Sequence, residues 1–136
     1  MCKHFFLIDD DEDELEIFME ALSQLPVPCK CTYAKSAEQA LEILNYLKPD
    51  IVFVDSNMPH ISGLECVKRI RAKQGHDQTK LVIYSNGIAD LSTHELISCG
   101  ATSFLQKTST ISGLVSGMQR LINSPQLDDN ILIPAS

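Results

Sequence analysis

Asp9, Asp10 and Asp11 follow directly on the apolar run Phe5-Phe6-Leu7-Ile8, and Asp55 closes a second run, Ile51-Val52-Phe53-Val54. Ser85 closes a third, Leu81-Val82-Ile83-Tyr84, and Lys107 follows the segment Thr102 to Gln106. Carboxylates a few ångströms apart repel by about 1 kcal/mol per pair in water and by several times more in a cleft. They therefore hold a proton or are neutralised by a cation. An all-oxygen set of carboxylates, a backbone carbonyl and water suits Mg²⁺, with Mn²⁺ as the alternative. A carboxylate beside such a cation is a nucleophile for phosphorus and forms an acyl phosphate. The new phosphoryl charge then needs donors. Ser85 offers a hydroxyl and Lys107 a point positive charge.

These residues share a site only if the elements before them end at one edge. The three apolar runs are rich in β-branched and aromatic residues and apolar on both faces, as strands buried in a parallel sheet must be. Cys29 to Tyr33 and Thr102 to Gln106 are weaker strand candidates. Between them, Leu15, Phe18, Met19 and Leu22 repeat at helical spacing, as do Ala37, Ala40, Leu41 and Leu44, and Ile111, Leu114, Val115, Met118 and Ile122. Two further helices are expected near 63–73 and 89–99. Ser36 with Gln39 reads as a capping box, and Pro26, Gly75 and Gly100 stand where helices stop. The order is β-α five times. Right-handed crossovers make that an α/β fold, a doubly wound (βα)5 five-stranded parallel sheet with helices on both faces. In such sheets ligands sit outside the carboxyl ends of the strands, where all these polar residues fall.

The whole chain sets bounds. Its 136 residues suit one domain, and 44% hydrophobic with 21% charged residues describes a globular chain. A net charge of −7 argues against nucleic acid as a partner, because neutralising phosphates takes clustered Lys and Arg. No apolar run approaches the ~20 residues of a membrane span. The opening Met-Cys-Lys-His runs straight into strand-like residues without a signal-peptide pattern, so a cytoplasmic protein is expected. The five cysteines then read as reduced thiols, mostly buried as small hydrophobes. Residues 125–136 read as a tail on a domain of residues 1–124, with Ile131-Leu132-Ile133 expected to fold back on the body. Within the acidic run, Glu12, Asp13, Glu14 and Glu16 read as a solvated helix start favoured by the macrodipole. Asp9 and Asp10, directly after a buried strand, read as site residues.

Three segments together carry a resemblance: Leu7-Ile8-Asp9-Asp10-Asp11, the stretch Ile51 to Glu65 that contains Asp55-Ser56-Asn57-Met58-Pro59, and Gly100 to Lys107. Over roughly residues 3–123 the chain resembles the receiver domain of two-component response regulators, which has the flavodoxin-like fold. The resemblance implies that Asp55 is the phosphoacceptor, that Asp10 ligates the metal directly with Asp9 in support, and that Asn57 ligates it through its main-chain carbonyl. It implies further that Ser85 and Lys107 bind the phosphoryl oxygens and that Phe104 is the aromatic switch. On phosphorylation Ser85 is expected to swing toward the phosphoryl group and the Phe104 ring to turn inward. The implied partners are a histidine kinase or phosphotransfer protein and a downstream target protein, bound by a monomer or a weak phosphorylation-dependent homodimer.

Two positions depart from the family pattern. Thr108 follows Lys107 where a proline in a cis bond is usual, and a cis bond before a non-proline residue costs about 2.5–4 kcal/mol, so a trans bond is expected. Asn86 follows Ser85 where a small residue is usual, which narrows access to an acyl phosphate. Two rival functions share parts of this set. A phosphohydrolase of the haloacid dehalogenase type looks for a second Asp two residues after the nucleophile, to act as general acid, and here that residue is Asn57. A receiver that binds partners without phosphorylation has no need of Asp10, Asp55, Ser85 and Lys107 together. The reading that uses every residue is a phosphorylation-controlled binding module, not an enzyme with a separate substrate.

Overall fold

The computed structural model of the protein describes residues 2–86, 93–107, 110–123 and 134–135. Strands β1 (Lys3–Ile8), β2 (Cys29–Ala34), β3 (Ile51–Asp55), β4 (Lys80–Ser85) and β5 (Ser103–Gln106) alternate with helices α1 (Glu12–Ser23), α2 (Ala37–Ile43), α3 (Gly63–Ala72), α4 (Thr93–Cys99) and α5 (Ile111–Ile122). All five expected strands form, and every pairing among them is parallel. The sheet runs β2-β1-β3-β4-β5 and gains a short strand beyond expectation, β6 (Pro134–Ala135), set beside Phe104 and Leu105. The sequence gives no sign of β6, because two residues are too few for a periodic pattern. Residues 87–92, 108–109 and 124–133 lie outside the described residues, and with them the Lys107–Thr108 bond, the start of the expected fourth helix and Ile131 to Ile133.

Side-chain alternation along the strands divides the core into two layers. Phe6, Ile8, Val52, Val54, Leu81, Ile83 and Phe104 face Ala40, Leu44, Val67, Ile70 and Leu96 from α2–α4 and the turn after α2. Phe5, Leu7, Phe53, Val82 and Leu105 face Phe18, Leu22, Leu114 and Met118 from α1 and α5. An aromatic column runs through the second layer: Phe5 stacks on Phe53 at 5.8 Å, Phe18 meets Phe53 edge-on at 5.0 Å, and Tyr84 lies 6.1 Å from Phe53. The cysteines are less buried than expected. Cys66 and Cys99 are buried, Cys29 and Cys31 half-buried and Cys2 exposed, because β2 has β1 alone as neighbour and only one of its residues is fully buried.

Helix starts follow the sequence signals. Ser36 accepts from the Gln39 amide at 3.1 Å, while the Gln39 side chain accepts from the Lys35 amide at 2.9 Å. Gly100, at φ +100°, closes α4 in the left-handed region that favours glycine. Against that turn lies Arg71 of α3. Its Nε and Nη2 donate to the Gly100 carbonyl at 3.1 and 2.8 Å, and its Nη1 donates to the carbonyls of His76 (2.9 Å), Asp77 (3.1 Å) and Thr79 (2.8 Å). The buried His76 completes the corner through Nε2, 2.8 Å from the Leu44 carbonyl. A carbonyl only accepts, so Nε2 carries the proton.

The topology accounts for the site. β1 lies between β2 and β3, so successive crossovers leave in opposite directions and a crevice opens between the carboxyl ends of β1 and β3. Ile8 is level with Val54, which sets Asp9 beside Asp55 on neighbouring strands.

Candidate functional site

Asp9 is fully buried and uses both carboxylate oxygens. Oδ1 accepts from the Asp11 amide at 3.0 Å and Oδ2 from Lys107 Nζ at 3.0 Å. Its main-chain carbonyl accepts from the Tyr33 hydroxyl at 2.6 Å. Asp10 is exposed, and its carboxylate joins those of Asp9 and Asp55 in a trio whose oxygens lie within 4.8 Å of one another. Asp11 stands apart as the cap of α1, accepting from the Asp13 amide at 3.0 Å.

Asp55 ends β3 at 6% exposure. Its Oδ1 accepts from the Asn57 amide at 3.3 Å and lies 3.6 Å from Lys107 Nζ. Beyond it the chain makes a tight loop. Ile61 N–H donates to the Pro59 carbonyl at 2.8 Å, with His60 at φ 71° between them. Gly63, the first residue of α3, packs so closely beneath that a Cβ there would stand 2.3 Å from the Asp55 carbonyl oxygen. Only glycine allows the approach. Ser85 is buried at the end of β4 and accepts from Ser56 Oγ at 2.8 Å. The Lys107 amide donates to the Ser85 carbonyl at 2.7 Å and so ties the ends of β4 and β5 together.

The electrostatics follow from burial. Desolvation and the neighbouring Asp9 carboxylate push the Asp55 carboxyl up to about 6, against a smaller downward pull from Lys107. Burial alone would depress the Lys107 ammonium, but Asp9, Asp55 and Glu14 outweigh it and raise it. Because the folded pKa of Asp55 exceeds its unfolded value of about 3.9, the folded state binds the extra proton, and stability falls as pH rises from about 4 to about 6. Above that window the loss is complete. In EDTA, urea midpoints of the wild type are therefore expected to drop between pH 4 and pH 6.5 more steeply than those of Asp55→Asn. Parallel slopes would mean that Asp55 titrates normally.

Of the residues picked out for the chemistry, Asp9, Asp10, Asp55, Asn57, Ser85 and Lys107 lie at this one edge. The Phe104 ring is buried among the α2–α4 layer at 2% exposure. Three contributors escaped the sequence. Glu14, read as a solvated helix residue, is half-buried with Oε1 3.9 Å from Lys107 Nζ. The available signal was its place one turn before Phe18, on the buried stripe that continues to Leu22. Tyr33 and Tyr84 lie at the site ends of their strands, and the Tyr84 ring centroid is 5.1 Å from the Lys107 ammonium.

The trio offers hard oxygen ligands in a cleft closed on one side by a lysine, which fits a small divalent cation. Among the described residues no helix is long and apolar enough to cross a membrane. Comparison with known proteins gives the same picture. The chain is 34% identical to the transcriptional regulatory protein YdfI of Bacillus subtilis over 89 residues, which is 65% of this chain and 40% of that protein. It is 27% identical to the regulatory protein AtoC of Escherichia coli over 129 residues, covering 92% of this chain and 26% of that protein. The chain thus spans less than half the length of these curated relatives. Among solved structures, the response regulator TrrA of Thermotoga maritima in complex with Mg²⁺-BeF superposes with a TM-score of 0.74 at 25% identity, covering 88% of this chain and 98% of that one. The phosphorylated cyanobacterial regulator RcpA shares the fold, with a TM-score of 0.79 at 20% identity over 93% of this chain and 99% of that one. The family model of the response regulator receiver domain matches residues 5–119, so the chain belongs to the receiver-domain family of two-component signalling.

Proposed function

We propose that Asp55 accepts a phosphoryl group from a histidine kinase or phosphotransfer protein and that the phosphorylated domain signals by binding a partner protein. The observation that carries this reading is a buried carboxylate at the end of β3, 3.6 Å from an ammonium and grouped with two further acids. An Asp55 oxygen attacks phosphorus, the bond to the donor nitrogen breaks, and the donor leaves as neutral imidazole after taking a proton. Asp10, Asp55 and the Asn57 main-chain carbonyl would hold Mg²⁺ or Mn²⁺, with Asp9 in support. When bound, the cation neutralises the crowded carboxylates and a phosphoryl oxygen. Ser85 and Lys107 donate to the other phosphoryl oxygens from rigid strand ends, so little reorganisation is needed. Gly63 lets α3 close on the Asp55 backbone and holds the nucleophile in place. Residues 1–124 form the receiver unit and 125–136 the tail in this reading, and a cytoplasmic location follows from the kinase that must reach Asp55.

Incubation with acetyl phosphate and Mg²⁺ is expected to add one phosphoryl group to the intact mass, and excess EDTA to reduce the gain at least about tenfold. Equal labelling with and without EDTA would remove the metal from the mechanism.

A further inference from the structure

Lys107 has three anionic neighbours where the proposed chemistry needs two. Its side chain is 8% exposed, and the ammonium stands 3.0 Å from Asp9 Oδ2, 3.6 Å from Asp55 Oδ1 and 3.9 Å from Glu14 Oε1. Asp9 and Asp55 belong to the trio that fits a divalent cation, whereas Glu14 does not. Its neighbour is Tyr84, whose hydroxyl is pushed up by burial and by the Glu14 charge. Tyr84 is fixed in turn between Phe18 at 6.0 Å and Phe53 at 6.1 Å, with its ring under the ammonium.

A cation on Asp9 and Asp55 competes for the charge that now holds the lysine. Two positive centres a few ångströms apart repel, and an ammonium largely walled from water has no solvent to retreat into. It needs another anion nearby.

We propose that Glu14 is a second dock for the Lys107 ammonium, taking it up when a divalent cation occupies the Asp9–Asp10–Asp55 cleft. Glu14 is thus a positioning residue. It touches neither the phosphoryl group nor the metal, and it allows lysine and metal to share one small site. The inference rests on reading the cleft as a divalent-cation site. Glu12 provides the control, since it sits on the same helix, is 71% exposed and faces Lys35 at 3.9 Å. Removing its charge changes the acidic field and leaves Lys107 alone.

The test is Mg²⁺ affinity by calorimetry for the wild-type full chain, Glu14→Gln and Glu12→Gln, together with the ¹⁵N signal of the Lys107 ammonium during the same titration. Outer partners of metal sites typically set affinity by 10–100-fold, so Glu14→Gln is expected to weaken binding about tenfold. Glu12→Gln should change it by less than about twofold. The Lys107 signal should shift on Mg²⁺ addition in the wild type and shift less in Glu14→Gln. Equal losses from Glu14→Gln and Glu12→Gln, or a Lys107 response unchanged by Glu14→Gln, would overturn the dock while the metal site stands. A wild type that binds no Mg²⁺ would overturn the functional reading itself, and the dock with it.

Discussion

Asp55→Asn is expected to take up no phosphoryl group from acetyl phosphate or from a cognate kinase, while folding as the wild type does. The carboxamide keeps the shape and an oxygen for the Asn57 amide at 3.3 Å. It loses the anionic oxygen that attacks phosphorus, and its nitrogen lone pair is delocalised into the carbonyl. The neighbouring acids are poor substitutes. Asp9 has both oxygens engaged, one of them with Lys107 at 3.0 Å, and is fully buried. Asp10 is exposed and lacks a close ammonium among the ion pairs of the described residues. Substitution also removes the carboxyl that burial pushes up to about 6, so the variant should be at least as stable as the wild type at neutral pH. The measurement is intact mass after labelling, followed by base or hydroxylamine, either of which should strip an acyl phosphate from the wild type. If Asp55→Asn gains the same mass as wild type, the phosphoacceptor lies elsewhere.

Arg71→Met should lower stability by about 3–4 kcal/mol although it lies away from the site. One guanidinium satisfies four carbonyls from two separate turns, at Gly100, His76, Asp77 and Thr79. Hydrogen bonds to a charged donor each contribute about 1.5–3 kcal/mol, and several fail together here because they share that donor. Methionine replaces the stem and leaves the carbonyls unpaired. Lysine should restore only part of the loss, since a single ammonium cannot span a fork that points at both turns. Urea midpoints compare the three proteins. A loss below about 1 kcal/mol in Arg71→Met would show that water replaces the guanidinium at little cost.

The two parts of the site differ in how readily they could be read in advance. Asp9, Asp55 and Ser85 were legible because each ends or directly follows an unmistakable apolar run, Lys107 follows a weaker one, and a parallel sheet brings such ends to one edge. Glu14 was not, because its exposure depends on how α1 rotates about its own axis. That rotation is set by Phe18 seating on Phe5 and Phe53, a tertiary fact that no local pattern contains. Phe104 was assigned to the right strand, but its burial in the core was not legible. Which residue of β5 faces α4 depends on a one-residue choice of register, and this one sends the ring into the core. Arg71 was unremarked for a related reason. A charged residue on a helix reads as solvent-facing until the turns that close over it are known.

The tyrosines around the acids have a spectroscopic consequence. The chain contains no tryptophan, so its near-ultraviolet emission comes from Tyr33, Tyr46 and Tyr84. Tyr33 donates to the Asp9 carbonyl, and the Tyr84 ring lies 5.1 Å from the Lys107 ammonium, whereas Tyr46, just after α2, is 78% exposed. A change of charge in the cleft therefore acts at close range on two of the three emitters. The third remains in water as an internal reference, so the unlabelled protein reports the occupancy of its own site.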